Sequence, residues 1–183
     1  MNNAVPMLLS GLGTNLLICI AACVHPMLVG MIVLLVKRGR KVGRICWAWY
    51  IAECVPPIAL LMALWYGAFT RATSIPITVL ALSIAHTAYI PIHIRESYSV
   101  RNYFAAAIDL FSSLLKWSMA AAMIAVVDIQ RAAMIYAGRT YTYGIYFAVC
   151  AAVFLILLLL QGVKQIILRT GMKKDKDLPS VPV

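Results

Sequence analysis

Gly144 to Leu160 reads GIYFAVCAAVFLILLLL, seventeen residues without a charge, and the apolar character persists to Leu168 with Lys164 as its only charged side chain. A helix rises 1.5 Å per residue, so this block is long enough to cross a hydrocarbon core of about 30 Å. Its run Val153 to Leu160 is apolar on every helical face. A helix with no polar face needs a protein interior or lipid around it.

The same reading applies upstream. Apolar blocks at 7–36, 45–69, 75–94 and 103–127 are separated by short polar connections. Hydrophobic residues make up 63% of the 183 positions and charged residues 12%, against about 45–50% and about 25% in soluble domains. The expectation is an all-α, polytopic transmembrane bundle of about five spans, forming a single domain over residues 1–170. The polar stretch 171–183, with its lysines, aspartates and two prolines, reads as a disordered tail. Pro26 and Gly30 mark a place where the first span could bend, and Pro56-Pro57 predicts a kink in the second. Residues 128–143 read as the longest loop, with Tyr136, Tyr141 and Tyr143 at headgroup depth.

Lys and Arg are unevenly distributed. Twelve fall on the side holding the 37–44 cluster, the connection containing Arg95 and Arg101, and the stretch from Lys164 to the end; Arg71, Arg131 and Arg139 fall on the other, and Lys116 lies inside a span. Basic residues near span ends are retained in the cytoplasm, which predicts the N-terminus outside and the C-terminus cytoplasmic. No Lys or Arg precedes the first block, and that block is too long for a signal-peptide core, so it reads as a mature helix. The formal charge of +10 belongs to these flanking clusters, where topology and anionic headgroups account for it; nucleic acid is not an expected partner.

Ionisable side chains within spans are costly and mark candidate sites. Here they are His25, Glu53, His86, Asp109 and Lys116. Asp109, Ser112, Ser113 and Lys116 fall at i, i+3, i+4 and i+7, one polar stripe on the fourth span. Lys116 would bend toward the N-terminal, cytoplasmic end, so an ion pair with Asp109 or Glu53 is expected. Such a pair could pin two helices together, or it could line a polar cavity open to the cytoplasm that takes an ion, a proton or an anionic headgroup. Ser83, His86 and His93 form a weaker stripe on the third span, where His86 could simply bond a neighbouring helix. His25 and His86 lie at similar depth and could in principle ligate haem from two sides. Cys19, Cys23 and His25 are ligands of the right type for a metal, but a fourth is not evident. The five cysteines show no C-x-x-C spacing and read as small packing residues.

No H-E-x-x-H, G-x-S-x-G or phosphate-cradling glycine loop occurs, and no internal repeat divides the spans into the matched halves of many transporters. Gly11-Leu-Gly13 reads as a close-packing helix start. No cofactor and no enzyme activity are expected. The leading expectation is a multi-pass protein of a bacterial inner membrane that acts through helix contacts with another membrane protein or with itself, as an accessory subunit or an inhibitor or immunity-type protein. The alternative is permeation of an ion, a proton or a small solute through the Glu/Asp/Lys/His cluster. Haem-based electron transfer stands third.

Overall fold

The computed structural model describes residues 4–37, 54–68, 74–94 and 99–176. Among them the chain is helical, without strands. Four segments are long and apolar enough to cross a membrane: Ala4–Val36, Ser74–His93, Val100–Ile124 and Ile145–Arg169. Of the five expected spans, the second is the exception. Its residues 45–53, Glu53 included, lie outside the described residues, and the part that is described forms only the shorter apolar helix Pro57–Gly67.

Helix α1 (Ala4–Lys37) runs through Pro26 without interruption. Proline lacks the N–H that would bond the carbonyl four residues back, which at Pro26 is that of Ala22. The hydroxyl of Ser83 donates to this oxygen at 3.2 Å. A helix in lipid has no water to satisfy a freed carbonyl, so a neighbouring helix supplies the donor. Gly30 serves contact: a Cβ there would run into Ile90.

Helix α2 (Pro57–Ala63) begins at the proline pair instead of being kinked by it. Pro56 is extended, with φ −69° and ψ 122°, as a residue preceding proline prefers. Pro57 takes the first helical position, where its missing N–H is no loss. A π-helical turn, Leu64–Ala68, follows. Helices α3 (Ser74–Ala85) and α4 (Tyr89–His93) together make one span, broken at 86–88. Pro91 explains the break, because its ring crowds the carbonyl four residues back.

Helix α5 (Val100–Ser118) starts at Ser99, whose hydroxyl accepts from the Asn102 N–H. It tightens into a 3₁₀ segment, Met119–Ile124, that ends on Ala125 with φ 64°. The expected loop 128–143 is instead mostly helix α6 (Ile129–Thr140). Asp128 caps it, accepting from the Arg131 N–H at 2.7 Å, and Ile129, Ala132, Ala133 and Ala137 form its buried face. Those spacings of three, four and eight carry an amphipathic signal, but alanine makes it faint and the tyrosines obscure it. Tyr141 ends α6 in the left-handed conformation.

Helix α7 (Ile145–Lys176) extends into the stretch expected to be disordered.

Helix α1 is central, touching α3, α4, α5 and α6, while α7 packs on α5 and α6. Ile18, Leu34, Ile77, Leu82, Leu110 and Leu114 are buried in the main core. Ile129, Ala133, Val149 and Val153 form a smaller cluster between α6 and α7. Asn15 meets Ser118 and Met27 meets Tyr103, so α1 and α5 are antiparallel.

Candidate functional site

The expected intramembrane cluster is divided among three places. Its histidines join a seam between α1, α3 and α5. The Thr87 hydroxyl donates to the Ser83 carbonyl at 2.9 Å. Having one hydrogen, it must accept from His25 Nδ1, which lies 3.3 Å away and therefore carries the proton. His86 is buried, and its Nδ1 lies 3.0 Å from the Leu82 carbonyl. A carbonyl only accepts, so Nδ1 is again the protonated nitrogen. In the neutral ring Nε2 accepts from the Ser113 hydroxyl at 3.3 Å. With Ser83 on Ala22, these side chains tie α3 to a helix on each side.

Asp109 pairs with Lys164 of α7, not with Lys116. The Lys164 ammonium lies 2.6 Å from one carboxylate oxygen, and Gln161 donates to the other at 3.2 Å. Seven residues separate Asp109 from Lys116, about 10 Å along the axis, whereas Lys164 approaches directly from the facing helix. Lys116 is exposed. The polar stripe is split: Ser113 faces His86, and Ser112 donates to the Ile108 carbonyl of its own helix. Glu53 lies outside the described residues, as stated above.

The remaining expectations find other placements. His93 is exposed, bonds the Tyr89 carbonyl and stacks on the Tyr89 ring. Cys19 and Cys23 are buried, while His25 reaches Thr87. Among the described residues no three His, Cys, Asp or Glu side chains gather as a metal-ligand set. The haem reading needs two imidazoles directed at one iron; here they are directed at Thr87 and Ser113.

A second buried polar node, outside the expected site residues, lies where α1, α5 and α6 meet. Asn15, fully buried, donates to the Ser118 hydroxyl at 2.8 Å and accepts from the Ile129 N–H at 2.9 Å. Ser118 in turn donates to the Leu115 carbonyl. Asp128 stands beside it, with Oδ1 on the Arg131 N–H and Oδ2 buried without a hydrogen-bond partner among the described residues. Burial pushes its carboxyl up from the ordinary 3.8 to about 6, and the bonds from the Arg131 N–H and Asn15 offset only part of that. Gly11 admits this turn: a Cβ there would come within 2.7 Å of the Asp128 backbone. An asparagine in an apolar span is the signal that could have found the node.

No family model matches the chain, and no curated protein matches it in sequence. In fold it is similar to a chain in the crystal structure of an amino acid ABC transporter with histidines. The TM-score is 0.75 at 20% identity, with 91% of this chain and 94% of that chain covered. A likeness at this identity establishes the shared helical architecture.

Proposed function

We propose that this chain is a multi-pass, membrane-embedded subunit of a transport assembly, working by helix-to-helix packing against a second membrane protein and not by catalysis. The observation that carries this reading is the fold likeness to a chain of an amino acid ABC transporter, which spans nearly the whole of both chains. The outer face of α7 supports it. Phe147, Phe154, Leu155, Leu158 and Leu159 are all exposed on this one chain, and large apolar faces of this kind meet lipid or another helix. The bacterial inner membrane, with the N-terminus outside, fits the uneven Lys and Arg distribution. A photo-crosslinker placed at Phe154 or Leu158 in native membranes tests the proposal. A discrete adduct with one other membrane protein is expected. Adducts with lipid alone, and a chain that migrates as a monomer in mild detergent, would overturn it.

A second reading takes the seam of His25, Thr87, His86 and Ser113 as part of a permeation path. The buried, doubly bonded His86 favours it, because imidazoles inside membranes mark proton and solute routes. Liposomes carrying the chain with its partner would lose flux on His86→Ala under this reading. Unchanged flux would remove it.

A further inference from the structure

A groove of about 500 Å³ opens between α1, α5 and α7, a size at which small ligands are held. Its walls are Val24 and Met27 of α1, Phe104, Ile108 and Phe111 of α5, and Leu160 of α7. We propose that this groove holds an acyl chain of an anionic phospholipid, with the Arg101 guanidinium taking the lipid phosphate at the membrane surface.

The placement of Arg101 carries the argument. Phe104, Ile108 and Phe111 follow it by three, seven and ten residues, so it continues the groove-lining stripe of α5 by one turn. Side chains on a helix lean toward its N-terminus, which carries the guanidinium out of the apolar walls toward the start of α5 at Val100. Its Nε is buried without a hydrogen-bond partner among the described residues. The side chain as a whole is only half-buried, and the terminal nitrogens of a guanidinium fork match phosphate oxygens. The positive pole of α5 lies at the same end. Lys164, four residues beyond Leu160 on α7, is already neutralised by Asp109. A slim apolar chain with an anionic head therefore matches both parts, whereas in a zwitterionic lipid the choline cation offsets the attraction of the phosphate for the guanidinium.

The purified chain, titrated with phosphatidylglycerol and with phosphatidylcholine of identical acyl chains and read by native mass spectrometry, tests the assignment. Retention of phosphatidylglycerol several-fold above phosphatidylcholine is expected, because both present the phosphate and only phosphatidylcholine sets a cation against the guanidinium. Arg101→Gln brings the two lipids level, Arg101→Lys keeps part of the preference, and Ala107→Trp, which fills the groove, lowers retention of both. Equal retention by the unaltered chain, or a preference that survives Arg101→Gln, overturns the proposal. Should Arg101→Gln fail to fold, phosphatidylglycerol with a photoreactive acyl chain decides on the unaltered chain. Adducts at Val24, Met27, Phe104 or Phe111 support the site, and adducts confined to other positions overturn it. A crosslinker at Ala107 that captures a second protein's helix in native membranes, and no lipid, also overturns it. Failure of the subunit proposal leaves these lipid measurements unaffected.

Discussion

Ser83 of α3 donates its hydroxyl to the Ala22 carbonyl of α1, the one carbonyl that Pro26 deprives of its helical donor. Ser83→Ala should therefore lower stability by about 1 kcal/mol, the usual scale for a hydrogen bond between membrane helices. Pro26→Ala restores the missing N–H, so Ser83→Ala should cost less in that background. A double-mutant cycle of unfolding in mixed micelles reads the difference; purely additive costs would contradict the pairing.

Gly11 and Gly13 should respond oppositely to the same change. Gly11→Ala forces α1 away from the Asp128 turn and should destabilise by about 1–3 kcal/mol. Gly13 has open space around its Cα, so Gly13→Ala should be neutral or stabilising by up to about 1 kcal/mol. Melting temperatures of the two variants in one detergent check this.

Asp128 predicts a pH response with a definite sign. Its folded-state pKa of about 6 lies above the ordinary 3.8, so the folded chain holds this proton more tightly than the unfolded one. Its contribution to stability is full below about pH 4, falls as pH rises through 6, and then levels off. Asparagine is an equally good cap and cannot titrate. Relative to Asp128→Asn, the unaltered chain should gain a few kcal/mol at most on going from pH 7 to pH 4. A constant offset between the two across that range would contradict the assignment.

The ion pair separates two lysines. Lys164→Ala leaves Asp109 unpaired and should destabilise by about 1–3 kcal/mol, below the cost for a fully buried pair because both side chains keep some solvent access. Lys164→Gln combined with Asp109→Asn should recover most of the loss. Lys116→Ala, at an exposed position, should stay within about 0.5 kcal/mol. Folded yield and melting temperature in detergent distinguish the three.

The apolar blocks were legible because hydrocarbon selects on length and composition alone, and Val153 to Leu160 leaves no other reading. Partners across helices were not. Nothing in the spacing of Asp109 favoured Lys164 over Lys116, since the choice depends on which helix packs beside α5. Helix α6 escaped because its buried face is mostly alanine, which contributes shape more than hydrophobicity. Pro56-Pro57 reads as a kink, although the same pair starts a helix where residues 54–56 are not helical. Asn15 was passed over because an uncharged amide does not stand out in a count of ionisable groups, yet it bonds two other elements.

The 3₁₀ segment after α5 ends at Ala125, in a left-handed conformation that glycine would adopt freely. The Cβ makes this conformer disfavoured in the free polypeptide, so the corner is held by what closes around it: Asn15, Ser118 and the Asp128 cap. The consequence is an order of assembly. The corner can set only once α1 is in position, and a chain whose first helix is displaced should leave α6 unformed while its later spans still insert.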